Sequence, residues 1–286
     1  MFWIRLRSSV ILVIAALVLL LTGGWVLAAG LLVLSLIAYR ELLCAAQTCR
    51  TAEEETDAGK KKKGRFGGLF TVGLLGAAAY YAALLLGTEP VYWLGILGLT
   101  FLGMMAVYVI TFPALQAGSV MTAFFCFFYG PVLFSFVWLT RQLPGGICMV
   151  WLIFISSWIC DTCAYLSGMA FGKHRLTPVL SPKKSVEGAV GGVLGSALVG
   201  ALFGHLLLNG IFEGQEMALI SAVICAAGAV ISQIGDLAAS GIKRNHGIKD
   251  YGKLIPGHGG VMDRFDSVLF TAPIIYYLAI LLIRFE

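Results

Sequence analysis

The sequence predicts an all-α, polytopic membrane protein with about nine transmembrane helices. Three observations carry this. Of 286 residues, 59% are hydrophobic and 12% charged, with a mean hydropathy of +0.91, outside the range of soluble domains. Apolar runs recur along the whole chain, each close to the roughly 20 residues a helix needs to cross the hydrocarbon core. Lys and Arg collect in a few loops, so the net charge of +5 reads first as a topology signal.

The elements follow in order. Arg5 and Arg7 precede an apolar run from Ser8 to about Ala38, broken at Thr22-Gly23-Gly24. A cleaved signal peptide has a short apolar region ending at a small-residue site, whereas this run resumes at once. Arg5 and Arg7 at one end, and Arg40, Arg50 and Lys60 to Lys63 at the other, belong on one side, which requires a hairpin of two helices. The stretch from Arg50 to Arg65 carries Glu53, Glu54, Glu55 and Asp57 before four lysines and reads as a cytoplasmic loop. A polybasic run also attracts anionic lipid at about 1 kcal/mol per charge, but topology accounts for it and no catalysis is assigned there.

Further spans are expected at 69–86, 91–112, 120–139, 147–171, 188–208, 217–235 and 267–283. The N-terminus is then inside and the C-terminus outside. The basic loops after the second, sixth and eighth spans face the cytoplasm, and the loop with Glu213 and Glu216 lies opposite. The chain divides into an N-terminal transmembrane region, 1–140, with its basic loop near 50–66, and a C-terminal catalytic region, 141–286. Gly188, Gly192, Ser196, Gly200 and Gly204 recur every fourth position, forming a stripe along which helix backbones approach closely. His205 beside it reads as a packing or interfacial residue. Seven cysteines, scattered in apolar segments, indicate no disulfide framework. Cys160 and Cys163, with no second pair, read as small core residues.

One stretch breaks the pattern. Between Gly235 and Ser267 the chain packs Asp236, Lys243, Arg244, His246, Lys249, Asp250, Lys253, His258, Asp263, Arg264 and Asp266 between two apolar segments. Ionisable groups beside a bilayer are costly unless they face water, a ligand or each other. Lys and Arg bind phosphate, Asp binds hard divalent metal, and the glycines of Pro256-Gly257-His258-Gly259-Gly260 admit a ligand to the backbone. A solvated basic loop would need the Lys and Arg but not Asp236, Asp263 and Asp266 in register with them. Asp263 and Asp266 share a helix face if Met262 onward is helical, and Asp236 comes from the end of another helix. Carboxylates converging from two helices, completed by phosphate oxygens, are the usual shell of Mg²⁺. Asp161 in the sixth span, and Ser181-Pro182-Lys183-Lys184-Ser185-Val186-Glu187-Gly188 in the next loop, add charge at the same face. A P-loop, a dinucleotide fingerprint and a Gly-x-Ser-x-Gly turn are absent from the sequence. The inference is phosphoryl or nucleotidyl chemistry.

The signature Ser240-x-x-Lys243-Arg244, then Lys249-Asp250, then Pro256-x-His258-Gly259-Gly260-x-x-Asp263-Arg264-x-Asp266 resembles that of the membrane-bound phosphatidate cytidylyltransferases, the CDP-diacylglycerol synthases. The likeness spans some 27 positions with every fixed residue present. Asp161-Thr162-x-Ala164-Tyr165 and the Ser-Pro-Lys-Lys-Ser-x-Glu-Gly piece are similar too, though family members often have Thr where this chain has Ser185, a change that keeps the hydroxyl. The N-terminal half matches only as a set of helices.

The resemblance implies conversion of CTP and phosphatidate to CDP-diacylglycerol and pyrophosphate in phospholipid biosynthesis. It implies dependence on Mg²⁺, with room for a second metal ion, and a homodimer among membrane lipids of a bacterial inner membrane, with the site on the cytoplasmic face and no nucleic-acid partner. It assigns catalysis to Asp236, Lys243, Arg244, Asp263 and Asp266, and metal to Asp236, Asp263 and Asp266. Lys183, Lys184, Lys243, Arg244, Lys249 and Arg264 would hold phosphates, and Asp161, Ser181, Glu187, Ser240, Asp250, His258, Gly259 and Gly260 complete the substrate site. A transporter would show paired broken helices in two related halves, but the charges crowd into one half. A CDP-alcohol phosphotransferase would place Asp-Gly before Ala-Arg, a string that does not occur. A purely structural membrane protein would need none of this chemistry.

Overall fold

A computed structural model describes residues 2–58, 67–257 and 259–285. His258, Gly59 and the lysines 60–63 lie outside the described residues. Among the described residues the chain forms nine helices: α1 (Phe2–Thr22), α2 (Gly24–Ala58), α3 (Gly67–Leu85), α4 (Pro90–Thr111), α5 (Ala117–Gln142), α6 (Gly146–Phe171), α7 (Val186–Leu208), α8 (Met217–Asn245) and α9 (Met262–Leu282). Eight are long and apolar enough to cross a membrane, and Val10–Thr22 in α1 adds a shorter apolar stretch. The expected break between α1 and α2 falls at Gly23 and Gly24, whose φ values of 63° and 49° are left-handed and free of steric cost only for glycine.

Four boundaries differ from expectation. Helix α2 continues to Ala58, through the first part of the 50–65 stretch expected as a loop. The segment between α6 and α7, expected as a loop, contains an antiparallel hairpin of β1 (Arg175–Thr177) and β2 (Ser181–Ser185). Helix α8 continues ten residues past Gly235, and α9 starts at Met262 rather than Ser267. Polar residues at the ends of long helices hide these extensions from a hydropathy reading, because the helix continues beyond the apolar window. Much of the charged stretch is therefore helical.

The chain divides into two compact units. The first is Met1–Ser135 with His246–Asp263; the second is Phe136–Asn245 with Arg264–Glu286. In the first unit, buried Tyr39 of α2 donates its hydroxyl to the Leu69 carbonyl at 3.2 Å. Its ring stacks on Phe70 at 5.8 Å and meets Phe127 edge-on at 6.4 Å. Within α5, residues Phe128–Val132 form a π turn around Pro131. Such a turn loosens the regular carbonyl pairing, and the Tyr81 hydroxyl donates to the Pro131 carbonyl at 3.2 Å, satisfying a buried acceptor.

In the second unit the small-residue stripe is buried along its whole length. A Cβ on Gly192 would lie 2.9 Å from the Cys160 carbonyl oxygen, and one on Gly200 2.9 Å from that of Ser221. Helix α7 thus packs its first half against α6 and its second against α8, at a separation that side chains would prevent. Ser196 donates to the Ile155 carbonyl at 3.2 Å, again within a π turn, Ile155–Ile159. His205 faces outward, its Nδ1 3.3 Å from Asn209 Nδ2.

Candidate active site

The extension of α8 decides the geometry of the second unit. Gln233, Asp236, Ser240 and Lys243 are spaced 3, 4 and 3 residues apart, so in a helix that runs to Asn245 they form one stripe. All four are half-buried, while Ser232, Gly235 and Ala239 are buried. Lys243 and Arg244 occupy the last turn, where cations oppose the negative end of the helix dipole.

Opposite this stripe stands the hairpin. Ser185 ends β2 and caps α7, its hydroxyl accepting the Gly188 N–H at 3.1 Å. A Cβ on Gly172 or Gly188 would lie 2.8 or 2.9 Å from that hydroxyl, so glycines let the hairpin base sit tightly on α6. Glu187 accepts the N–H groups of Lys173 and His174 at 3.1 and 3.2 Å and meets His174 Nδ1 at 2.6 Å. Its carboxylate clamps the start of the hairpin. The Arg175 guanidinium donates to the Pro182 carbonyl, bracing the two strands.

These elements enclose a cavity of about 440 Å³ lined by Asp161, Tyr165, Gly168 and Met169 of α6, Leu176, Ser181, Lys183 and Lys184 of the hairpin, and Gln233 and Asp236 of α8, among others. One part of the wall is ionic and the other apolar, the combination an amphiphile with an anionic head requires. Lys184 forms an ion pair with Asp236. Asp161 interacts electrostatically with Asp236, Lys184 and Arg264, and Asp266 with Asp236, Lys243 and Asp161. Asp266 is only 7% exposed and accepts the Ser267 N–H at 2.8 Å. The second unit thus gathers three carboxylates that repel one another and three cations that offset them.

The remaining predicted residues lie in the first unit. Lys249 and Asp250 are exposed on the segment after α8. Gly259 has φ +86°, which favours glycine, and a Cβ there would lie 2.8 Å from Asp263 Oδ2. Asp263 Oδ2 accepts the N–H groups of Tyr251 and Gly260 at 2.8 and 3.0 Å. Gly260 packs against Glu41 of α2: a Cβ would stand 2.5 Å from both carboxylate oxygens. The glycines read as room for a ligand therefore also make room for protein carboxylates.

Two residues escaped the sequence reading. Gln233 donates to the Ala189 carbonyl at 3.0 Å and lines the cavity; its place three residues before Asp236, on one helix face, is the signal in the sequence that marks it. Glu41, 8% exposed, follows Arg40 just beyond the apolar run that ends near Ala38, where an acid is indistinguishable in sequence from a solvated helix end.

The donor set fits a hard divalent cation, since it consists of carboxylates whose mutual repulsion a cation relieves. Among the described residues no three His, Cys, Asp or Glu side chains form a ready metal cage. Mg²⁺ does not demand one, because it keeps waters and takes substrate oxygens beside one or two carboxylates.

The sequence model of the cytidylyltransferase family matches residues 3–282. Curated phosphatidate cytidylyltransferases of Staphylococcus aureus, Staphylococcus epidermidis and Staphylococcus saprophyticus are each 32% identical over 283 residues, covering 97% of this chain and 98% of their own.

Proposed function

The chain belongs to the cytidylyltransferase family, and on that basis we propose that the cavity between the hairpin, α6 and α8 is where CTP and phosphatidate react. The protein is an integral membrane nucleotidyltransferase that makes CDP-diacylglycerol. A phosphate oxygen of phosphatidate attacks the α-phosphorus of CTP, the bond to the bridging oxygen breaks, and pyrophosphate leaves with the electron pair. Phosphatidate is already ionised near neutral pH, so no strong base is required. The barrier lies in bringing two polyanions together and stabilising the departing one.

The observation that carries the assignment is the cavity wall itself: Lys183 and Lys184 on the hairpin, Asp161 and Asp236 opposite, and Tyr165, Met169 and Leu176 beside them. Lys183, Lys184, Lys243 and Arg264 hold phosphates as point charges or forks, and Ser181 and Ser240 add hydroxyls. Lys249, Asp250, Arg244, Gly259 and Gly260 keep substrate roles on the motif they belong to. Asp236 and Asp266 would hold magnesium; Asp263, one turn before Asp266 in the same helix, carries the third assignment on its spacing alone. When bound, magnesium neutralises phosphate charge and steadies the leaving pyrophosphate. Lys184 meanwhile keeps Asp236 compensated and oriented. The charge asymmetry of the loops supports a site on the cytoplasmic face, and the bacterial relatives support a plasma membrane. A homodimer and a second ion rest on the family resemblance.

Pyrophosphate release from CTP by the purified protein, with and without phosphatidate, tests the function. Release is expected only when both substrates are present. Lipid-independent release, or none, would overturn the reading.

A further inference from the structure

Three consecutive amides at the entry to α9 are tied to carboxylates. The Gly260 N–H goes to Asp263 Oδ2 at 3.0 Å, the Val261 N–H to Glu41 Oε1 at 3.1 Å, and the Met262 N–H to Glu41 Oε2 at 2.8 Å. Asp263 also takes the Tyr251 N–H at 2.8 Å. Glu41 lies some 220 residues away in sequence. All of these residues belong to the first unit.

A helix start can be capped locally: a Ser, Thr, Asn or Asp just before it satisfies the free N–H groups. Here the residue preceding Met262 is Val261, which has no such group. The acceptor comes instead from α2, and its carboxylate is 8% exposed. A buried carboxylate is costly unless hydrogen bonds compensate it, and Glu41 receives two charge-assisted ones. Space has been cleared for it on the facing loop as well. A Cβ on Gly252 would strike Glu41 Oε1, and one on Gly260 both oxygens. A local cap sets the direction of a helix start; a carboxylate from another helix also sets its location.

Building on the functional reading above, we propose that Glu41 is a positioning residue for the reaction. By holding the Val261 and Met262 amides it fixes the backbone from Gly259 to Asp263, so that the glycine-rich turn and the Asp263 carboxylate are preset before substrate arrives. Glu41 itself touches neither substrate nor reacting atoms in this role. A preset turn affects turnover more than lipid capture, because small misplacements penalise the reacting geometry while the hairpin lysines still hold phosphate.

The test compares full-length wild type, Glu41→Gln and Glu41→Ala in detergent, by amide hydrogen exchange and by steady-state kinetics normalised to folded protein. Gln keeps the shape and one acceptor oxygen; Ala keeps neither. Exchange in residues 250–262 should accelerate in the order wild type, Gln, Ala, with α3 and α4 unchanged. Turnover should fall in the same order, on the order of ten- to a hundredfold for Ala, with the KM for phosphatidate within about twofold. Exchange in 250–262 that stays at the wild-type level, or turnover per folded molecule that is unchanged, overturns the proposal. Should Glu41→Ala not fold, the isosteric Gln variant decides by the same two readouts. Absence of CDP-diacylglycerol formation by the wild type would instead sink the functional reading, and the exchange comparison would still decide whether Glu41 holds the turn.

Discussion

The ammonium of Lys184, on the second strand of the hairpin, pairs with the carboxylate of Asp236 on α8, each side chain 29% exposed. The two residues are 52 positions apart in sequence, and their pairing joins the phosphate-binding candidate to the metal-binding candidate. A pair this accessible is screened by water and contributes on the order of 0 to 1 kcal/mol to stability. Its main consequence is electrostatic order within the cavity.

Lys184→Ala should therefore leave the protein extractable and folded, with a melting temperature in detergent close to that of the wild type. It should lower turnover and raise the KM for CTP or phosphatidate by about tenfold or more, since a charge-assisted phosphate contact is lost. Wild-type kinetic constants in this variant would reduce Lys184 to a topology signal.

Asp266→Asn should abolish most turnover, by about a thousandfold, because a reaction between two polyanions loses its counter-charge. Asp266→Glu should retain some activity and respond to a change of metal. Asp263→Asn should also be severely impaired, yet its Oδ2 holds two backbone amides, so part of its loss should appear as faster exchange in residues 250–262. A magnesium titration separates the routes. An Asp266→Asn protein with normal turnover and an unchanged magnesium requirement would remove that residue from the metal assignment.

Gly260→Ala should behave like Glu41→Ala, since the added Cβ takes the space of the Glu41 carboxylate. Combined with Glu41→Gln, it should add little further loss in turnover. Residues that act through one contact are non-additive. Full additivity in this double-mutant cycle would mean that Gly260 serves the ligand alone.

Membrane orientation is tested by single reactive cysteines, in a background without accessible native ones, at Gly59, Asn245 and Glu213. Gly59 and Asn245 should label from the cytoplasmic side and Glu213 from the opposite side, following the distribution of Lys and Arg. Gly59 and Asn245 labelling from different sides would refute the nine-span topology.

What the sequence determined by itself was the environment and the chemistry. Apolar runs of spanning length can only be helices in a bilayer, because the backbone must satisfy its own hydrogen bonds there. The small-residue stripe from Gly188 to Gly204 announced close packing, since a helix repeats its face every three to four residues. The charged residues from Asp236 to Asp266 pointed to phosphoryl or nucleotidyl chemistry because each type has a narrow chemical use, and the reaction itself came from the resemblance of the signature from Ser240 to Asp266 to a known family. Tertiary structure decided the rest. That α8 reaches Asn245, aligning Gln233 with Asp236, Ser240 and Lys243, depends on packing that hydropathy does not register. So does the hairpin that carries Lys184 to Asp236. Glu41 is the sharpest case: an acid in an apolar helix has no local pattern to mark it, and its partners, Val261 and Met262, are backbone amides. Backbone amides are the same in every sequence, so only the folded chain could show which carboxylate they meet.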